Sequence, residues 1–115
     1  MPERGSSTMP DTVLLILCNA PDAVTAERIA QTLLERQLAA CVNLLAPCRS
    51  IYRWQGNIET SDEHPMLIKS TQNNYLALEA MIRELHPYDV PEIIALPVST
   101  GLPAYLDWVR NESAA

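Results

Sequence analysis

The sequence predicts an α+β fold in a single domain, and three observations carry that expectation. Apolar runs of strand length alternate with stretches whose apolar residues recur every three or four positions. The elements come in the order strand, helix, strand, strand, helix, strand, followed by a short closing helix. Between the second and third strands, Ser50-Ile51-Tyr52-Arg53-Trp54-Gln55-Gly56-Asn57-Ile58-Glu59 reads as a hairpin arm carrying two large aromatics and an arginine beside its turn. A chain of 115 residues, 48% apolar and 19% charged, can build one compact core but leaves much of its surface open.

Residues 1–11 hold two prolines, a glycine and a Ser-Ser-Thr run without periodicity, and are expected to be a disordered leader to a domain spanning 12–115. Val13 to Cys18 is continuously apolar and reads as a strand buried on both faces. Pro21-Asp22 opens a helix with Asp22 or Thr25 as cap; Ala26, Ile29, Ala30, Leu33 and Leu34 form its apolar stripe, and it ends near Gln37. Leu38 to Leu45 is the second strand, interrupted at Pro47 before Ser50 to Trp54 resumes it. Gly56-Asn57 is expected to turn the chain, because glycine accepts the positive φ of a tight hairpin. Pro65 lacks a ladder N–H, which predicts an irregular patch or bulge over Ser61 to Pro65 before the third strand, Met66 to Ser70.

A second helix spans about Asn73 to Leu85, with Leu78, Met81, Ile82 and Leu85 inward. Glu92 to Val98 is a fourth strand, placed at an edge by Pro97. Gly101 to Asn111 closes the chain with a helix presenting Leu102, Tyr105, Leu106 and Val109. Two interleaved right-handed βαβ units of this order give a four-stranded antiparallel sheet with both helices on one face, a ferredoxin-like βαββαβ sandwich with a long hairpin between its second and third strands. The uncovered sheet face is apolar and the arm is sticky, so self-association into a closed ring of three is expected. Tyr52 and Trp54, two residues apart on one strand, share a face and are read as interface anchors, with Arg53 opposite; Trp108 is a third anchor.

The formal charge of −6, without a Lys/Arg cluster, argues against a nucleic-acid partner. The apolar runs are too short to cross a bilayer and no signal-like core follows a basic stretch, so no membrane role and a cytoplasmic location are expected. Three cysteines, Cys18, Cys41 and Cys48, without a Cys-x-x-Cys pair, fit neither a disulfide framework nor a zinc knuckle. Cys41, inside Ala39-Ala40-Cys41-Val42, reads as a small buried hydrophobe.

Six blocks resemble the divalent-cation tolerance proteins called CutA, over nearly everything from Val13 to Arg110. They are Leu17-Cys18-Asn19-Ala20-Pro21, Leu38-Ala39-Ala40-Cys41-Val42-Asn43, Ser50-Ile51-Tyr52-Arg53-Trp54-Gln55-Gly56, Ile68-Lys69-Ser70, His86-Pro87-Tyr88-Asp89-Val90-Pro91-Glu92-Ile93 and Tyr105-Leu106-Asp107-Trp108. The resemblance implies a ferredoxin-like homotrimer whose arms pair across subunits, a link to copper and other divalent metals, and, in animal relatives, an association with anchoring acetylcholinesterase. It also implies a copper site using Cys18 and His86. Some relatives carry a further histidine where Leu85 stands here, so this chain has one ligand fewer.

Thiolate and imidazole suit copper better than hard oxygen donors do. Glu92 lies six residues beyond His86 across two prolines and can serve as a carboxylate ligand or as the acceptor that orients the imidazole. Cys18, His86 and Glu92 are three donors at most, so copper would be held weakly, with water or a neighbouring subunit completing the shell. The plainer readings stand beside these: Cys18 as core packing, His86 and Glu92 as a structural pair. No organic cofactor is implied. A Cys18–His86 nucleophile pair lacks an oxyanion loop and a third orienting group, so an enzyme is not expected. The alternative to a metal-tolerance trimer is a sensor or scaffold built like the nitrogen-regulatory P-II trimers, with small-ligand clefts between subunits lined by groups such as Lys69, Tyr88 and Glu92.

Overall fold

The computed structural model describes residues 11–114, so the leader expected over residues 1–11 lies outside the described residues except for Asp11. Its elements are β1 (Val13–Ala20), α1 (Ala23–Glu35), β2 (Cys41–Leu44), β3 (Cys48–Trp54), β4 (Asn57–Thr71), α2 (Tyr75–Leu85), β5 (Ile93–Pro97) and α3 (Pro103–Glu112), with a 3-10 turn, Gln72–Asn74, leading into α2. This is a mixed α+β fold. The sheet runs β2-β4-β1-β5 with every pair antiparallel, and β3 pairs with β4 outside that path.

Strand alternation decides which residues meet the helices. Along β1, Leu14, Ile16, Cys18 and Ala20 point into the core, opposite Ile68 and Met66 of β4, and pack with Ala26, Ile29 and Leu33 of α1 and Leu78 and Ile82 of α2. The intervening residues face the other way. Leu15, Leu17, Leu67, Ile94 and Leu96 share that second face, where Ile94 and Leu96 are about half exposed. Only one corner of it is covered within the described chain: α3 packs on β1 and β4 and buries Val109 beside Val13 and Thr71. Asp11 is held at this corner, its carbonyl accepting from Arg110 Nε at 2.7 Å and its carboxylate from the Asn73 N–H at 3.1 Å.

Several boundaries follow from local chemistry. Asp22 caps α1 by accepting from the Thr25 N–H at 2.7 Å, which holds its carboxyl below the usual carboxylate range. Gln37 takes φ 55° just after α1, ending the helix there. The bulge or irregular patch expected around Pro65 falls on the partner side: β4 itself runs unbroken through Asn57–Thr71, while three residues, 45–47, stand opposite His64 and Pro65 between β2 and β3. The reason lies in the partner strand. Leu45 N–H donates to the Pro65 carbonyl at 3.0 Å just past the end of β2, so Pro65 stands where the partner ladder is already interrupted and its missing N–H breaks no continuous run of bonds. Cys41, expected to be buried, is half-buried on the uncovered sheet face beside Lys69, its register partner.

Beyond the sheet, β3 and the first half of β4 form a bare two-stranded arm. Seven register pairs, Cys48↔Glu63 to Trp54↔Asn57, span roughly 23 Å at about 3.3 Å per residue. Every residue from 51 to 60 is exposed. The Cα radius of gyration is 15.9 Å, with a long axis of 56 Å, against about 13 Å for a compact domain of this size. The turn residues are Gln55 (φ 51°) and Gly56 (φ 85°), one position earlier than expected, because a two-residue loop with two positive φ values matches the strands' right-handed twist. Gly56→Ala should lower stability by about 1 kcal/mol and Gln55→Asn should raise it by a few tenths, read as opposite shifts of the urea midpoint.

Candidate functional site

The polar groups of the chain converge where β1 ends, and alternation splits them between two sides of the strand. Cys18 points into the core and is 1% exposed. Burial, reinforced by the negative charges of Glu92 and Glu63, pushes its thiol up to about 12. Asn19, the next residue, points the other way. Its Nδ2 donates to Glu92 Oε1 at 3.0 Å and to Glu63 Oε1 at 3.4 Å, tying the start of β5 to the base of the arm.

His86 sits just past the end of α2 and is buried. Its Nε2 donates to the Asn19 carbonyl at 2.6 Å, and its Nδ1 accepts from the Tyr88 N–H at 3.2 Å. Both ring nitrogens are therefore committed, and the ring packs against Tyr88 with centroids 4.7 Å apart. The acceptor that orients the imidazole is the Asn19 backbone, not Glu92. Asn19 stands between the two, binding His86 through its main chain and Glu92 through its side chain. Among the described residues no group of three His, Cys, Asp or Glu side chains gathers closely enough to hold a metal ion. Cys18, His86 and Glu92 are thus neighbours linked through Asn19, not a formed three-ligand set.

The sequence reading missed Asn19 and Glu63. The available signal was the amide that ends an apolar strand beside a proline, a place where a polar side chain needs a partner. The carboxylate it finds belongs to the root of the arm, and that proximity could not be read from spacing.

A cleft of about 690 Å³ opens between the arm and the loop that follows α2. Tyr52, Trp54, Glu59 and Glu63 form one wall, and Tyr88, Asp89 and Glu92 the other. The register puts Tyr52 opposite Glu59 and Trp54 opposite Asn57, so both aromatics do share a face, with Arg53 on the reverse. Tyr52 Oη lies 3.2 Å from Ser61 Oγ, which fixes its ring against the arm. Among the described residues, four carboxylates and no cation line the cleft, and burial together with Glu63 raises the Tyr88 phenol above its ordinary value. Lys69 is elsewhere, on the uncovered sheet face, with its ammonium bonded to Asn43 and 4.0 Å from Cys41 Sγ. Trp108, on α3, is about half exposed and stacks on Tyr105 at 5.7 Å.

Comparison with known proteins gives a uniform answer. Residues 14–112 match the family described as CutA1 divalent ion tolerance protein. A protein of Pectobacterium atrosepticum named divalent-cation tolerance protein CutA is 49% identical over 97 residues, 84% of this chain and 88% of that one. Mouse Protein CutA is 44% identical over 110 residues, 96% of this chain and 62% of that one. The solved divalent cation tolerance protein of Thermus thermophilus superposes with a TM-score of 0.87 at 41% identity, covering 89% of this chain and 99% of that one.

The Cys18 thiol gives this site a pH signature. Its folded value, about 12, lies above the ordinary 9.0 of the unfolded chain, so its contribution to stability is whole below pH 9 and is lost as pH rises toward 12. At pH 10 the unfolded chain has released the proton and the folded chain has not, a loss of about 1.4 kcal/mol relative to pH 8. Cys18→Ala should remove that increment from the difference between urea midpoints at pH 8 and pH 10. Iodoacetamide at pH 8 should label exposed Cys48 promptly and Cys18 only in denaturant.

Proposed function

We propose a part in divalent-cation tolerance for this chain, which belongs to the CutA1 divalent ion tolerance protein family. Relatives across nearly the whole chain carry that name, and none of the relatives above favours the P-II-like alternative. The role is one of binding and response in the cytoplasm rather than catalysis. What supports the metal reading within the molecule is that Cys18, His86 and the Asn19-held carboxylates Glu63 and Glu92 all lie around the end of β1, as separate donors that a metal would have to draw together.

Copper is the proposed ion, since a thiol and an imidazole are the soft donors on offer. The donors present set terms on such binding. Cys18 must give up a proton it holds tightly, and His86 must release either the Asn19 carbonyl or the Tyr88 N–H. Both costs weaken binding at neutral pH and make it strongly pH-dependent. Water or a neighbouring subunit completes the shell.

Assembly is the second part of the reading. The strand order β2-β4-β1-β5, with α1 and α2 on one face, supports a ferredoxin-like sandwich. Its open face and its bare arm support a homotrimer that covers both. Ile51 at 70%, Ile58 at 66% and Trp54 at 46% exposure are large apolar groups that a solvated monomer gains nothing from displaying.

Titration with Cu(I), Cu(II) and Zn(II) tests the metal assignment. Cys18→Ala should weaken Cu(I) at least tenfold, and wild-type affinity should rise about tenfold from pH 7 to pH 8, as displacement of one proton requires. Equal Cu(I) affinity for wild type and Cys18→Ala would remove Cys18 from the site. For the assembly, Trp54→Ala should cost about 2 kcal/mol and make the midpoint of thermal unfolding depend more steeply on protein concentration. An unchanged melt would remove Trp54 as an anchor.

A further inference from the structure

The open face of the sheet carries a second group of reactive side chains, apart from those at the end of β1. Cys41 on β2 and Lys69 on β4 are register partners, so strand pairing sets their side chains next to each other on that face. Both are half-buried. The Lys69 ammonium lies 4.0 Å from Cys41 Sγ and is bonded to the side-chain oxygen of Asn43, two residues along β2 on the same face. On its other side, the register partner of Lys69 is Leu15 of β1. No carboxylate among the described residues pairs with Lys69. An amine is thus aimed at a thiol by a neighbouring amide, on a largely apolar face.

The other two thiols are placed differently. Cys18 is sealed in the core, and Cys48 is exposed with the Ser50 hydroxyl as its neighbour at 4.0 Å. We infer that Cys41 and Lys69 form a modification site, which an oxidant of the hydroperoxide class converts into a reversible sulfur–nitrogen bridge. In the first step the Cys41 thiolate attacks one oxygen of hydrogen peroxide. The O–O bond breaks, the sulfur is oxidised to a sulfenic acid, and the other oxygen leaves as hydroxide, which takes up the thiol's proton. Lys69 then gives its extra proton to water, and the neutral amine attacks the sulfur. The S–N bond forms, the S–O bond breaks, and the departing hydroxide collects an amine proton as a second water. One peroxide is reduced to two waters, and the pair loses two hydrogens. Contact favours this route, because an amine already beside the sulfur competes well with a second peroxide from solution. The bridge staples β2 to β4 and removes a positive charge from the open face, and an added thiol reverses it. It is independent of the metal and assembly readings above.

Peptide mass spectrometry after brief exposure of the native protein to hydrogen peroxide tests it. The tryptic peptide that holds Cys41 should be joined to the segment that holds Lys69, with cleavage after Lys69 lost and the sum lighter by two hydrogens. Dithiothreitol should separate them. Cys41→Ser and Lys69→Arg should each abolish the product, while Cys48→Ala should leave it. Asn43→Ala should lower its yield about threefold in favour of Cys41 sulfinic acid, because the amide no longer aims the amine. Circular dichroism checks that each variant folds. The open face is the one a ring would cover, so the assay is run above and below the concentration at which the protein dissociates. A bridge at either concentration supports the inference. Cys41 that is unoxidised, or oxidised only to sulfinic or sulfonic acid, at both concentrations overturns it. A bridged product that survives Lys69→Arg, or that Cys48→Ala removes, overturns it as well.

Discussion

Strand β4 is fifteen residues long in a sheet that uses eight of them, and the rest of the molecule is arranged around that mismatch. Residues 64–71 pair with β1 and lie over the helices. Residues 57–63 have β3 alone for company. A lone two-stranded ribbon is marginal in water, because its backbone bonds compete with solvent and it has no third layer to bury a face. Here that ribbon also carries Ile51, Tyr52, Trp54 and Ile58 in the open. Its rigidity has to come from elsewhere. Within the chain, the Asn19 amide ties Glu63 at its root, and the cleft brings Tyr88 near its inner wall. The proposed ring supplies the remainder.

The core was legible in the sequence because its signals are periodic. The stripe Ala26, Ile29, Ala30, Leu33 set α1, Leu78 and Ile82 set α2, and the continuous run from Val13 marked a central strand that is covered by β4 and β5 on its two edges. Errors arose where backbone geometry outweighed composition. Gly56-Asn57 looked like the turn, yet two positive φ values were needed and Gln55 took the first. Pro65 marked the right level but the wrong strand: β4 runs on through it, and the irregularity falls on residues 45–47 opposite. A proline is tolerated in a strand when its partner is interrupted at the same level, and only the pairing reveals that.

The candidate site was legible in its residues and not in its wiring. Cys18, His86 and Glu92 do lie at one end of β1, but strand alternation sends Cys18 into the core and Asn19 toward the carboxylates. Asn19 is the connector, with its carbonyl on His86 and its amide on Glu63 and Glu92. The consequence is a coupled arrangement: a movement of the His86 ring bears on the same residue that anchors the arm. Metal response and assembly, in this reading, share one residue, Asn19, the first through its main chain and the second through its side chain.

Hydrogen exchange of the arm's amides as a function of protein concentration tests the central claim most directly, that residues 48–63 are held in place by a second copy. The account predicts slow exchange across β3 and the first half of β4 at concentrations where the protein is assembled, and rapid exchange there, with the helix-covered core still protected, once dilution separates the copies. Protection of the arm that is equally strong in the dissociated monomer would contradict it.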